Sequence, residues 1–255
     1  MVGKILAIIF ILFSGNLFAG KDGAISTPME RLKEYQVGGV VRSHARHICD
    51  LSKKYDLSYK SLAALLSRQN YYYGPEDALQ DWFIGRGDFF DEEDLRELNY
   101  LYRQNLWVDT MNRKKGLPQP SRNSWDSFLF SSLGPAQIQI YQGRQLAEHF
   151  NFGGEEQRKD FNFIAKSLSK PETGIEFLAM EMRRNIDIYQ DILDLDISEK
   201  TEALWQLHNS GSVIYRALSR LEKRRMGMEP ALSGADNNQL IAIEQFFAEK
   251  HNRCQ

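Results

Sequence analysis

The sequence has few cysteines, few prolines and no excess of charge of one sign. Among 255 residues there are 2 cysteines and 7 prolines, and the formal net charge is −2. Nucleic-acid-binding surfaces are rich in Lys and Arg, so the balanced charge argues against such a partner. We therefore expect a ligand that is neutral or of mixed charge. Hydrophobic residues make up 42% of the chain, which is enough for a sizeable core.

Long apolar runs are also scarce, and the clearest one lies at the N terminus. Residues 5–13 are apolar and follow Lys4, while Leu17 and Ala19 occupy the positions of a cleavage site. A spanning helix needs about 20 apolar residues, so this run is too short to cross a membrane. The pattern predicts a signal peptide over residues 1–19, a periplasmic or secreted location, and a mature form without a membrane span. A membrane anchor is the alternative.

The two cysteines, Cys49 and Cys254, can form one disulfide in an exported chain. Such a bond would tie the C terminus to the start of the folded domain. A loop of that length can stabilise a protein by about 4–5 kcal/mol in the chain-entropy description. Two free thiols are the alternative, since Cys254 is next to the last residue.

Helical spacing of apolar residues dominates after a polar tether over residues 20–40. Ser58 and Asp91 are placed to cap helices, and Pro171 stands near the start of another. A last amphipathic helix is expected within residues 223–255. The sequence shows neither a strand of length nor a repeat of 20–50 residues. The predicted fold class is all-α.

Four segments occur in a recognisable order within residues 57–221: "SLAALLSRQN", "SLGPAQIQIYQGRQLAEHF", "KPETGIEFLAMEM" and "ALWQLHNSGSVIYRAL". They resemble the motifs of soluble lytic transglycosylases and goose-type lysozyme relatives. In that family a helix ending in "RQES" is followed by a turn "S-x-G-x-x-Q", a further helix and "A-x-Y-N-x-G". The resemblance implies a lysozyme-like helical domain over residues 41–222, with a helical insertion at residues 76–123 between the first and second motifs.

The resemblance also implies a chemistry. The family cleaves β-1,4 bonds between the amino sugars of peptidoglycan, with one glutamate as acid and then as base and with no metal or cofactor. The acid must carry its proton at neutral pH, and burial in an apolar pocket favours that form. The implied partner is therefore the peptidoglycan glycan strand.

This chain lacks the family glutamate, because Gln69 and Asn70 hold the two candidate positions. An amide cannot supply the proton, and losing general acid catalysis costs about 10²–10⁴ in rate. If the acid has been relocated, the insertion is the expected source. Glu76 is the first candidate, and Glu92 or Glu93 comes next; ordinary helix first-turn charge is the plainer explanation for these residues.

The resemblance assigns substrate binding to residues of the second and fourth motifs. Gly134 forms a tight turn, and Gln137 is expected to start a helix with its amide free for sugar hydroxyls. Asn209 would cap the break between two helices and bind near the substrate. His208 replaces the family tyrosine, and it is either a ring donor at the cleft or a buried histidine.

Three functions remain open from the sequence. The first is a glycan-cleaving lytic transglycosylase or lysozyme with a relocated acid. The second is a catalytically silent peptidoglycan-binding or scaffold protein on the same fold. The third is an inhibitor or assembly factor that grips another cell-wall enzyme. A carboxylate within hydrogen-bond reach of the cleft opposite Gln137 would distinguish the first from the others.

Overall fold

The computed structural model describes residues 39–85, 90–115, 132–210, 213–228 and 254. The chain divides into two compact units, Met1–Lys33 and Glu34–Gln255, and every described residue belongs to the second. The predicted signal peptide, most of the tether and residues 229–253 lie outside the described residues. Within the described ranges, no helix has the length and apolar character needed to cross a membrane.

Helices make up most of the described chain, so the prediction of a predominantly α-helical fold is confirmed. Their order and bounds, with two short strands between α4 and α5, are α1 (Ala45–Lys54), α2 (Tyr59–Tyr72), α3 (Pro75–Gly85), α4 (Glu92–Lys115), β1 (Ser132–Leu133), β2 (Ile138–Gln139), α5 (Ile140–His149), α6 (Glu155–Lys159), α7 (Phe161–Ser169), α8 (Pro171–Leu193), α9 (Thr201–Ser210) and α10 (Val213–Arg225).

Three helix starts follow from local chemistry that the sequence shows. The Ser58 hydroxyl accepts a hydrogen bond from the Ser61 amide at 3.5 Å. The Asp91 carboxylate accepts from the amides of Glu93 and Asp94, each at 2.9 Å. Pro171 occupies the first turn of α8, where its missing N–H costs nothing. At the other end of the described domain, α10 continues to Arg225, so the expected boundary at residue 222 falls inside a helix.

Helix α8 lies at the centre of the fold. It packs against α1, α2, α5, α7, α9 and α10. Its buried side chains point in all directions around the axis, with Ile175, Phe177, Leu178, Ala179 and Met180 fully buried. Every residue from 177 to 182 is buried, so the middle of this helix lies in the core rather than at a surface. The inserted helix α3 packs separately against α7 and β1.

The second motif segment forms a small hairpin before its helix begins. Ser132 pairs with Gln139, and Leu133 pairs with Ile138, in antiparallel register. The prediction that Gln137 starts a helix is wrong: α5 begins at Ile140, because residues 138 and 139 remain extended to pair with β1. Gln137 instead closes the turn with a φ of 52°, and its amide donates to the Gly134 carbonyl at 3.0 Å.

A disulfide joins the last described residue to the first helix. Cys49 of α1 and Cys254 are bonded, with Cα atoms 5.5 Å apart and a sequence separation of 205. Because the bond closes nearly the whole domain into a loop, it limits the conformations of the unfolded chain.

We predict that the double variant Cys49→Ser/Cys254→Ser has a free energy of unfolding lower by about 2–4 kcal/mol, because its unfolded chain gains loop entropy. Urea unfolding of the variant and of the oxidised wild type measures the difference. Reduced wild type is the control and should match the variant. Alkylation of two thiols in the unreduced wild-type protein would contradict the bond.

Candidate functional site

Polar side chains from three elements converge on the turn between β1 and β2. The last turn of α2 contributes an amide, the segment after it contributes a phenol, and α3 contributes a carboxyl group. We call this set the hairpin cluster: Asn70, Tyr73, Asp81, Gly134 and Gln137. It combines the first and second motifs with a residue of the insertion.

Asp81 is the carboxyl group at the centre of the hairpin cluster. Asp81 is buried, with 8% of its surface exposed. The Tyr73 hydroxyl donates to Oδ2 at 2.5 Å, and the Gly134 amide donates to Oδ1 at 3.0 Å. Both oxygens therefore have donors, and the second bond ties the inserted helix α3 to the hairpin.

Burial raises the pKa of the Asp81 carboxyl above its ordinary value, because a charged group loses its hydration there. The hydrogen bonds from Tyr73 and Gly134 act in the opposite direction, since they stabilise the carboxylate. The nearby Asp77 carboxylate adds to the rise. The net result favours the proton-carrying form of Asp81 over a wider pH range than for an exposed aspartate.

Sequence reasoning missed Asp81. A signal was available, because Asp81 lies three residues before Ile84, and residues at that spacing share one face of a helix. Ile84 is buried, so Asp81 faces inward with it. Helix α3 is short, and Asp81 and Ile84 form a single pair near its end. The sequence pattern alone therefore did not single out Asp81.

Both the backbone conformation and the close neighbours of position 134 require a glycine there. Its φ is +72°, in the left-handed region, and a Cβ atom there would lie 1.9 Å from the Leu168 carbonyl oxygen at the end of α7. The same carbonyl would be 2.8 Å from a Cβ on Gly174 in α8. The carbonyl thus fits between two glycines, and the hairpin and α8 approach it closely.

The positions of the missing family glutamate lie beside this turn. The Asn70 amide donates to the Leu66 carbonyl at 2.8 Å and to the Pro135 carbonyl at 3.2 Å. Gln69 is buried. Asn70 therefore holds the end of α2 against the second motif, and neither side chain can supply a proton.

The amide of Gln137 is already engaged. Its Nε2 atom donates to the Gly134 carbonyl at 3.0 Å. The expectation of an amide left free for sugar hydroxyls is therefore wrong for this donor, because the left-handed turn brings the side chain back onto its own backbone. The partly exposed Gln137 still lies on the hairpin turn that receives Asp81 and Asn70.

A second set of polar side chains crosses the interface of α9 with its neighbours. His208 Nδ1 lies 2.5 Å from Glu181 Oε2, and Glu181 Oε1 accepts a hydrogen bond from the Gln142 amide. The Trp205 and His208 rings are 6.2 Å apart between centroids, and the Arg68 guanidinium lies 4.7 Å from the centroid of Trp205. We call this set the α9 row: Arg68, Trp205, His208, Glu181 and Gln142.

His208 is buried and paired. Its side chain is 5% exposed and that of Glu181 is 1% exposed. A carboxylate next to Nδ1 favours the tautomer with a hydrogen on that nitrogen and fixes the direction of the ring. Glu181 was missed by sequence reasoning, although a carboxylate between Met180 and Met182 in an apolar helix is a signal for a buried polar contact.

The other predicted site residues lie apart from these contacts or outside the described residues. Glu76 belongs to the first turn of α3, but its side chain is outside the described residues, as is that of Asn209. Glu92 and Glu93 are exposed in the first turn of α4. In the described ranges, neither of these two carboxylates hydrogen bonds to the hairpin cluster.

Chemically, the two sets offer different groups. The hairpin cluster offers one carboxyl group whose pKa is raised by burial, and the α9 row offers an imidazole, a carboxylate and a guanidinium. Among the described residues, no group of three or more His, Cys, Asp or Glu side chains is placed to hold a metal ion. Comparison of the chain with protein-family models, with curated proteins and with solved structures finds no match.

We predict that Gly134→Ala lowers the free energy of unfolding by about 3 kcal/mol or more, because a Cβ atom meets backbone that no rotamer change can move. Gly227→Ala is the matched control: its φ is +74°, and a Cβ there would meet nothing within 4 Å. The control should cost only the left-handed backbone strain, about 1–2 kcal/mol. Urea unfolding measures both, and equal losses would contradict the steric argument.

The raised pKa of Asp81 predicts a pH dependence of stability. Folding favours the protonated form of Asp81. The stabilising contribution of Asp81 to the free energy of unfolding is therefore complete below the ordinary aspartyl pKa, about 4, and is lost as pH rises through the folded-state pKa. Asp81→Asn keeps an acceptor for the Gly134 amide but does not titrate. The free energy of unfolding of wild type minus that of Asp81→Asn should therefore fall from about pH 4 upward. Urea unfolding across pH tests this, and a constant or rising difference would refute it.

Proposed function

We propose that this protein is an exported, lysozyme-like protein that acts on peptidoglycan and cleaves β-1,4 bonds between amino sugars, with Asp81 as the general acid. The resemblance of four ordered segments supports the substrate class. Contacts between those segments add to it: Asn70 at the end of the first motif touches Pro135 in the second. Glu181 in the third likewise touches His208 in the fourth.

The observation that carries the enzymatic part is a buried carboxyl group, brought by the insertion, against the second-motif turn. Asp81 accepts a hydrogen bond from the amide of Gly134, six residues before the start of the helix that carries Gln142. Burial raises the pKa of Asp81, and a raised pKa favours the protonated form that a general acid needs. Asp81 is therefore our candidate for the relocated acid, in place of Glu76, Glu92 and Glu93, which the sequence suggested.

Tyr73 and Gly134 would assist after the proton has left. Both donate to the Asp81 oxygens, so they stabilise the carboxylate that forms when the leaving oxygen takes the proton. The same carboxylate can then accept a proton from an attacking hydroxyl, either the 6-hydroxyl of the sugar or a water. One carboxyl group would serve as acid and then as base.

A second candidate function is supported by the same bonds. Both Asp81 oxygens have donors and the residue is nearly closed to solvent, which is also what a purely structural lock between α3 and the hairpin requires. With an amide at Asn70, the protein would then bind glycan strands without cleaving them and serve as a scaffold. Sacculus binding is common to both functions, and bond cleavage separates them.

We predict that Asp81→Asn lowers the release of soluble muropeptides from purified sacculi by about 10²–10⁴-fold, because the general acid is removed. Pelleting with sacculi should be unchanged. Asp77→Asn is the matched control, since Asp77 lies one turn earlier in α3 and accepts from the Gly74 amide at 2.6 Å. That variant should keep most of the activity, because burial, the largest cause of the raised pKa of Asp81, is unchanged and Asp77 contributes least.

Two further outcomes would change the assignment. Loss of release in Glu76→Gln, with activity retained in Asp81→Asn, would move the acid to Glu76. Absence of release by wild type from acetylated and de-N-acetylated sacculi, with pelleting intact, would leave the silent scaffold. Wild type that stays in the supernatant would refute a peptidoglycan ligand altogether.

A further inference from the structure

Helix α10 presents large apolar side chains to the solvent. Tyr215, Leu218 and Met226 are 48%, 42% and 61% exposed. The Met226 amide donates to the Glu222 carbonyl at 3.1 Å, so the helical course of α10 reaches Met226. Spacings of three and eight residues then place the three side chains along one face of the helix. We call Tyr215, Leu218 and Met226 the α10 stripe.

The opposite face of α10 is the one that packs into the domain. Val213 and Ala217 are buried there, and α10 contacts α8. The Arg224 guanidinium donates to the Leu193 carbonyl at 2.9 Å, which joins the end of α10 to the end of α8. A helix that packs on one side normally carries polar residues on the other, so packing on α8 does not account for the α10 stripe.

Exposed apolar side chains are concentrated in this part of the molecule. Among the residues that the structure describes, seven large apolar side chains are exposed, and four of them lie between residues 215 and 228. Single exposed apolar residues are ordinary on a protein surface, but a contiguous group indicates a contact with another apolar surface.

Positive charge flanks the α10 stripe on both sides. Residues 213–228 contain five cations and one acid, Glu222, and so carry a net charge of +4, whereas the whole chain carries −2. Around the helix, Arg216 and Lys223 follow one side of the stripe and Arg225 follows the other. Lys223 and Arg225 are exposed. The outward face of α10 is therefore an apolar strip between two rows of cations.

We propose that α10 binds the surface of an anionic phospholipid bilayer. A basic amphipathic helix lies in the plane of such a surface, with its apolar face at the acyl boundary and its cations among the headgroups. Lys and Arg side chains reach the phosphates while their methylene stems stay beside the apolar strip. Charge complementarity selects this partner: an uncharged apolar partner leaves the cations without counter-charges, and a soluble polyanion leaves the stripe in water. The association is independent of the proposed reaction on glycan strands.

The test is flotation of residues 20–255 with large unilamellar vesicles. One set of vesicles contains phosphatidylglycerol and phosphatidylcholine in equal amounts, and the other contains phosphatidylcholine alone. Wild type should bind the mixed vesicles about tenfold or more tightly than the neutral ones, because each cation near an anionic surface strengthens binding about fivefold. Equal binding to both sets would contradict the charge complementarity and overturn the inference.

Three variants separate the contributions of charge and of the apolar stripe. Lys223→Gln/Arg225→Gln should weaken binding to the mixed vesicles by about tenfold or more, and Glu222→Gln should strengthen it by about fivefold, because that change removes the one acid of the helix. Leu218→Ser should weaken it by about tenfold, since the side chain no longer enters the acyl boundary. Weaker binding in the cation variant with no change in Leu218→Ser would indicate a soluble anionic ligand and would overturn the bilayer.

Lys53→Gln/Lys60→Gln is the matched control, because it removes two exposed lysines, from α1 and α2, and changes the net charge equally. It should float like wild type, and all variants should keep the wild-type thermal midpoint, since the substituted side chains are exposed. Unchanged flotation of Lys223→Gln/Arg225→Gln would place the lipid contact elsewhere and overturn the inference.

Wild type that floats with neither set of vesicles would also overturn the inference, and two measurements then identify what covers the stripe. A lowered thermal midpoint in Leu218→Ser at low protein concentration would indicate a segment of this chain. A dimer in analytical ultracentrifugation that Leu218→Ser dissociates would indicate a second copy. Sacculus pelleting does not depend on either result, so the proposed function stands or fails separately.

Discussion

The Leu168 carbonyl, held between Gly134 and Gly174, is the contact on which the arrangement of the site depends. A Cβ atom at either glycine would come within 3 Å of that oxygen. Because the two glycines let their backbones approach the Leu168 carbonyl so closely, α7, the hairpin and the start of α8 meet at one point. Because Gly134 donates its amide to Asp81, the same contact fixes the position of the inserted helix α3. A change in this junction would therefore move the carboxyl group as well as the fold.

The buried polar groups of this domain differ in whether their atoms have hydrogen-bond partners, and this difference suggests their roles. Glu181 lies in the central helix α8, and His208 and Gln142 contact both of its oxygens, as folding stability requires of a buried carboxylate. Asp81 also has donors on both oxygens, but burial still raises its pKa. Arg68 keeps two buried nitrogens without acceptors. Satisfied groups stabilise a fold and unsatisfied ones oppose it, so burial of Arg68 costs stability in a way that burial of Glu181 does not.

Under the proposed function, the proton comes from a different element than in the resembled family. In the resembled family the acid comes from the end of the first motif helix. Here that helix end holds an amide, which binds the Pro135 carbonyl, while the inserted segment directs Asp81 at the adjacent residue Gly134. Both groups converge on one turn of a few residues. Under the proposed function, a carboxyl group of α3 does the work that the resembled family assigns to the end of the first motif helix.

Local chemistry was sufficient to predict the helical class, the caps at Ser58 and Asp91, and Pro171 at the start of α8, because periodicity and capping depend on neighbours in sequence. The sequence also placed Gly134 in a turn. It failed for Gln137, because pairing of β2 with β1 delays the helix, and pairing depends on a partner strand. It missed Asp81 and Glu181, because a carboxylate becomes buried only when other helices close over it. The contacts of Arg68 with Trp205 and of Asp81 with Gly134 join residues far apart in the chain. Only the tertiary structure decides such contacts, since packing of the whole core sets which distant surfaces meet.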